Sequence, residues 1–402
     1  MNDAIIVLNA GSSSLKFSIY AMVDQRLDLK ARGQIEGLGT APHFKAKDCD
    51  GRSLADHTLG ESSAKFGHPE AFAHLAEWVR SEFGGQLRAV AIGHRIAHGG
   101  PDFVKATRID DDVLSRLEQL IPLVPLHQPH NIAAIKAVAK LRPDMTQVAC
   151  FDTAFHQGRA KVTERLGLPD QMFRRGVRRW GFHGLSYESI SRQFREIAPE
   201  VAAGRVIVAH LGSGASLCAM NNGRSVETTM GFSALDGVPM GTRCGSLDPG
   251  VILYLLREGW DLERLEDLLY KKSGLLGIST VSNDVRVLLD NSNPLAADAI
   301  EYFVYRVVRE IGSLAAALGG LDALIFTAGI GENSPVIRER VCLGAAWLGI
   351  DIDREANRQN KRRISMPGPK PSVWMIPTDE EGVIASQTNE IVCAMANRTR
   401  ND

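Results

Sequence analysis

Three glycine-rich turns, each entered from an apolar run, are the first features of this 402-residue chain that could do chemistry. They are Gly11-Ser12-Ser13-Ser14, Gly212-Ser213-Gly214 and Gly329-Ile330-Gly331-Glu332-Asn333. Small residues let backbone N–H groups approach a phosphate closely, and Ser or Asn side chains add donors. One such turn means little, because most glycine turns are only turns; three at the ends of buried strands carry more weight. None matches GxxxxGK[ST] or GxGxxG, so neither a P-loop nor a Rossmann dinucleotide site is supported. Two such hairpins facing one another would cradle a triphosphate.

Two arginines come next. Arg95 lies in Gly93-His94-Arg95-Ile96-Ala97-His98-Gly99-Gly100, and Arg243 in Met240-Gly241-Thr242-Arg243-Cys244-Gly245. A lone Arg is usually a solvated surface residue. Set among glycines and apolar residues, it is a better oxyanion ligand, because guanidinium is a rigid bidentate donor. Two could clamp a carboxylate and a phosphoryl group in flight. Asp152, at the end of Val148–Asp152, could orient a nucleophile or hold magnesium through water, although a strand-end Asp is often a helix N-cap. Glu380 and Glu381 form a second acidic spot, whose ordinary reading is the charged first turn of the last helix. His183, in Trp180-Gly181-Phe182-His183-Gly184, could neutralise a transferring phosphoryl group, although a lone His is more often structural. His127 and His130 supply only two nitrogens around Pro129, which does not make a zinc site. No Ser-His-Asp constellation with a nucleophile elbow is present.

The elements that must position these groups alternate between strand and helix. Ala4 to Leu8 and Leu15 to Tyr20 read as two strands around the first turn. Val206 to Ala209 and Leu217 to Met220 read the same way around the second. Asn9 falls opposite His210, Gly11 opposite Gly212 and Ser12 opposite Ser213, at a constant offset. This is the pattern of one structural unit used twice. Helical spacing covers 72–83, 131–141, 252–269, 296–318 and 381–397. Buried strands cover 89–93, 146–151, 321–327 and 373–376. Such alternation implies sheets covered by helices.

Composition narrows the field. A chain this long exceeds the ~250–300 residues of one hydrophobic core, so two domains are expected. Net charge is −1, which argues against nucleic-acid binding and leaves any anionic ligand to local groups. The six cysteines form no CxxC pair and no zinc spacing, and read as reduced, mostly buried thiols of a cytoplasmic protein. The N-terminus lacks a basic leader, and no apolar run approaches the ~18 residues of a membrane span.

The chain resembles the acetate kinase family, of the carboxylate-kinase group within the sugar-kinase, actin and heat-shock-ATPase superfamily. The resemblance runs essentially end to end, through LNAGSSSLKF, GHRIAHGG, PLHQPHN, FDTAFH, GFHG, HLGSGAS, GRSVETTMGF, PMGTRCGSLDPG, SNDVR, FTAGIGENS and PTDEE. It implies an α/β chain with a duplicated ribonuclease-H-like, actin-like ATPase fold and an active site in the cleft between two domains. These domains are expected at 1–151 plus 382–402, and 152–381. It implies reversible, in-line transfer of the ATP γ-phosphate to acetate without a phosphoenzyme, Mg2+ as metal (Mn2+ able to substitute), and a homodimer.

By matched position, Arg95 and Arg243 would bind the carboxylate and stabilise the transition state. Asp152 would position the acetate-side chemistry, and His183 would contact the transferred phosphoryl group. Asn9 and Glu380 would organise the metal. His210, Gly212 and Ser213 would hold ATP phosphates, and Lys16, Leu211, Gly214 and Gly331 would also bind ATP. Asp284, Val285 and Arg286, with Gly329, Ile330 and Asn333, would line the adenosine pocket. Ala97, Leu126 and Ala234 would line the acetate pocket. Three positions depart from the family pattern: Ser213 where Asn is usual, Ala97 where Val is common, and Ala234 where Pro is common. The two alanines remove apolar volume, which favours propionate or butyrate as an alternative substrate. One methylene in such a pocket is worth only ~1–3 kcal/mol. A nucleotide-driven switch on the same fold would need no carboxylate clamp, which argues against it.

Overall fold

The computed structural model describes residues 1–24, 26–60, 66–368 and 371–399. It divides into two compact units, Met1–Ala154 with the chain from Glu380 onward, and Phe155–Asp379. The boundaries differ by a few residues from those expected. Asp152 and Glu380 therefore both belong to the N-terminal unit.

The N-terminal unit is built on an eight-stranded sheet. In chain order its strands are β1 (Asn2–Ala10), β2 (Ser14–Val23), β3 (Arg26–Glu36), β4 (His43–Asp48), β5 (Ser53–Thr58), β6 (Leu87–Ile96), β7 (Thr107–Arg108) and β8 (Thr146–Phe151). In space they run β5-β4-β3-β2-β1-β6-β8-β7. β1 is antiparallel to β2 but parallel to β6, which is parallel to β8. A strand with parallel neighbours is covered on both faces, so β1 reads as a continuous apolar run. Ile6 and Leu8 face a core with Phe17, Phe44, Phe72 and Val138. Ile5 and Val7 point the other way and are equally buried. That second face carries the closing helix Glu380–Thr399, which packs on β1, β6 and β8. Gly93 in β6 permits the approach: a Cβ there would stand 2.4 Å from Thr388 Oγ1 and 2.7 Å from Ile384 Cγ2.

The C-terminal unit holds a five-stranded sheet of β9 (Arg205–Leu211), β10 (Ala215–Asn221), β11 (Arg224–Thr228), β12 (Ala323–Thr327) and β13 (Ser372–Met375). Its order, β11-β10-β9-β12-β13, reproduces β3-β2-β1-β6-β8, with the same antiparallel hairpins followed by two parallel strands. The expected duplication is thus present in the topology. The constant offset holds only up to the turns. Ala10 pairs with Leu15, whereas Leu211 pairs with Ala215, so the second turn is one residue shorter.

Two local expectations are corrected. The 252–269 helix is two helices, Pro249–Arg257 and Leu262–Lys271. Gly259 takes φ +85°, which ends the first, and the Asp261 side chain caps the second. The Gly329–Asn333 stretch is no open turn but part of a short helix, Ala328–Asn333, directly after β12.

Candidate active site

The N-terminal cluster starts from parallel pairing. Register sets Arg95 of β6 beside Cys150 of β8 and Ile96 beside Phe151, so the chain leaves both strands at one level. The Asp152 N–H then donates to the Ile96 carbonyl at 3.0 Å. The Arg95 Nε and Nη2 donate to the Asp152 carboxylate, the shortest contact being 2.8 Å. Nη1 lies 3.4 Å from Glu380 Oε2, in the first turn of the closing helix. Asp152 is therefore an ion-pair partner, and Glu380 is both a first-turn acid and a member of the cluster. Burial by itself would lower the Arg95 pKa, but the charges of Asp152 and Glu380 outweigh it and raise the value.

Three residues given no role by sequence reasoning hold this region. The Asn131 amide donates to the Ala10 carbonyl and its oxygen accepts from the Ala97 N–H, both at 3.0 Å. It thereby links the first glycine turn to the segment after Arg95. Gln128 braces His98, accepting from its N–H at 3.3 Å and donating to its carbonyl at 3.1 Å. His68 Nε2 donates to the Gly11 carbonyl at 2.9 Å and its ring stacks on His130, which thereby supports the turn. Gln128 and Asn131 sit in the Pro125–Asn131 motif, but their distant partners leave no local signal. Asn9 and Lys16 face one another across β1 and β2.

In the C-terminal unit, His183 takes φ +57° immediately before helix Gly184–Ile197. Its Nδ1 is 2.8 Å from Ser216 Oγ, which is 2.5 Å from the Tyr187 hydroxyl. Its ring stacks on His210 at 4.2 Å between centroids, and His210 Nδ1 meets Ser186 Oγ at 2.8 Å. A Cβ on Gly214 would stand 3.4 Å from His183 Nε2 and 3.8 Å from Arg243 Nη1. The structure thus brings His183, Arg243 and the Gly212–Gly214 turn together around one small volume. Arg243 Nη1 also donates to the Ala234 carbonyl at 3.2 Å, and the Gly241 N–H to the Ser213 carbonyl at 3.2 Å.

The third glycine motif is braced from beneath. Glu332 Oε1 accepts from the Ala328 N–H at 2.8 Å and the Thr378 N–H at 3.1 Å. Arg338 is fully buried, yet its donors reach the carbonyls of Gly331, Glu332 and Asn357 and the amide oxygens of Asn357 and Asn360. Desolvation pulls its pKa down to about 10. Sequence reasoning missed Arg338, because an Arg in an ordinary helix carries no sign that it will be buried. Asn333 Nδ2 turns back to the Gly329 carbonyl at 2.9 Å. Asp284 and Arg286 engage each other at 2.6 Å, and Asp284 caps the short helix Val285–Leu289. The Arg95 and Arg243 clusters belong to different units.

The doubled sheet, with a glycine turn after the first strand of each copy, defines a two-domain actin-like ATPase fold. Solved structures similar along nearly the whole chain are an acetate kinase from Porphyromonas gingivalis and a propionate kinase from Francisella tularensis subsp. tularensis SCHU S4. The first has a TM-score of 0.86 at 36% identity, covering 97% of this chain and 100% of that one. The second has a TM-score of 0.89 at 34% identity, covering 96% and 99%. An acetate kinase from Rhodopseudomonas palustris (strain TIE-1) is 52% identical over 391 residues, 96% of this chain and 97% of that one. The acetokinase family model matches residues 4–386. This chain belongs to the acetokinase family.

Proposed function

We propose that this chain catalyses reversible transfer of the ATP γ-phosphate to acetate, giving acetyl phosphate and ADP. The observation that carries the reading is the convergence of His183 and Arg243 on the space beside Gly214. A guanidinium and an imidazole beside backbone N–H groups suit a phosphoryl group whose charge is spread over its oxygens. Ser216 and Tyr187 hold the His183 ring in one orientation. A carboxylate is already an anionic nucleophile, so no strong base is needed. The difficulty is repulsion between two anions, which Arg95, Arg243 and His183 offset. Asp152 and Glu380 fix the position of the Arg95 guanidinium.

The metal we assign is Mg2+. No group of three or more His, Cys, Asp or Glu side chains suited to a metal occurs among the described residues. Mg2+ is commonly held by one or two protein oxygens together with substrate phosphates and water. Asn9 and Glu380 offer hard oxygen donors on elements that pack together. When bound, Mg2+ neutralises phosphate charge and orients the transferring group.

His210 and the Gly212-Ser213-Gly214 turn are assigned to the phosphates. Asp284–Arg286 and Gly329–Asn333 are assigned to adenosine. Ala97 and Leu126 of the N-terminal unit, and Ala234 of the C-terminal unit, are each assigned to acetate. A homodimer is supported by helix Pro249–Arg257, which buries none of its residues although it reads Pro-Gly-Val-Ile-Leu-Tyr-Leu-Leu-Arg. All six cysteines are free thiols, which supports a reducing, cytoplasmic setting. No described helix is long and apolar enough to cross a membrane.

The test is kcat/KM for acetate, propionate and butyrate with Mg-ATP, trapping the acyl phosphate. Acetate is expected to be best. A propionate optimum would mean that Ala97 and Ala234 have enlarged the pocket, and absence of any acyl phosphate would overturn the reading.

A further inference from the structure

A cavity of about 500 Å³ opens in the N-terminal unit, between helix His68–Phe83 and the sheet. Its floor is apolar: Ile6 of β1, Leu75 of the helix, Ile92 of β6 and Met145 are all buried. Three arginines are among its lining residues, Arg80, Arg88 and Arg142, against a single acid, Glu77. Arg88 pairs with Asp3 at 2.6 Å and Arg142 with Asp144 at 3.1 Å. Arg80 has no side-chain hydrogen bond or ion pair among the described residues.

We propose that this cavity is a second ligand site, taking a small amphiphilic anion with an alkyl body and a single carboxylate head. The volume lies within the ~300–1,000 Å³ range of small-molecule sites, which are mostly apolar with a few polar groups that fix orientation. Water on an apolar floor is poorly hydrogen-bonded, and an alkyl body displaces it favourably. A guanidinium at the mouth gives the head a charge-assisted, bidentate partner. A neutral alkane would gain nothing from Arg80, and acetate has no body to fill the cavity. The site is separate from the catalytic residues, yet β1 and β6 carry Asn9 and Arg95 toward their C-terminal ends and Ile6 and Ile92 into the cavity.

The test is calorimetric titration of the intact enzyme with octanoate and with octanol, each repeated under saturating acetate. Octanoate is expected to bind once per chain whether or not acetate is present, with octanol about tenfold weaker, the scale of one lost charged hydrogen bond. Arg80→Glu, at an exposed position, should weaken octanoate by at least about tenfold while leaving kcat/KM for acetate unchanged. Ala76→Trp should fill the cavity and abolish binding. No saturable binding, competition by acetate, or binding indifferent to Arg80→Glu would each overturn the proposal.

Discussion

At the scale of single residues, the two arginines are expected to fail differently. Arg243 sits beside His183 and the Gly212–Gly214 turn, so Arg243→Ala should cut kcat by about a hundredfold or more with little change in KM for ATP. An unchanged kcat in steady-state assays would remove it from the transition state. Arg95→Ala should raise KM for acetate, read in the same assays. It should also leave Asp152 and Glu380 without their shared cation, costing about 3 kcal/mol of stability in denaturant titrations. Arg95→Lys should restore stability better than KM, because lysine keeps the charge but loses the fork. Histidines behind the site set the response to acid. Burial pushes the pKa of His94 down to about 4 and that of His156 to about 3. The folded rings stay neutral until those values, while the unfolded chain takes up protons near 6.5. Stability should therefore fall as pH drops below about 6.5, by up to ~1.4 kcal/mol per pH unit for each ring, and be flat above it. Denaturation midpoints between pH 7.5 and 5 measure this, and His94→Gln should flatten the slope.

At the scale of elements, the strands end where the chemistry begins, and small residues decide how closely helices approach. Gly93→Ala would drive a methyl group into Thr388 and Ile384 of the closing helix. We expect a loss of about 1–3 kcal/mol, together with a raised Mg2+ requirement, because Glu380 begins that helix. Metal-dependence curves that match wild type would show that the helix adjusts without moving Glu380. The glycine turns and the β1, β9 and β12 strands were legible because Gly, Ser and continuous apolar runs are local signals. The break at Gly259 was missed because apolar spacing continues across it, although Gly259 followed by the capping Asp261 is a local stop-and-start signal. Roles such as that of Glu332 were equally hidden, because one of its partners, Thr378, lies on a segment 46 residues away.

At the scale of the whole molecule, helix Pro249–Arg257 presents Leu253, Tyr254 and Leu256 to solvent, each about half exposed. A face this apolar is expected to be covered in solution. Leu253→Asp should convert a dimer to monomers in sedimentation equilibrium while leaving the fold of each chain intact. A wild-type enzyme already monomeric at micromolar concentration would refute the dimer.

The sequence by itself determined the strand runs, the glycine turns, the doubled hairpin and the residue types able to grip phosphate and carboxylate. All of these are written in short windows, through side-chain period and backbone permissiveness. Tertiary structure alone decided that Arg95 is shared by Asp152 and Glu380, that Asn131 ties Ala10 to Ala97, and that Arg338 props the Gly329 helix. Those choices follow from strand order and register, which bring together residues up to hundreds of positions apart. A buried polar group must find its partners wherever the fold places them, and no local pattern records where that will be.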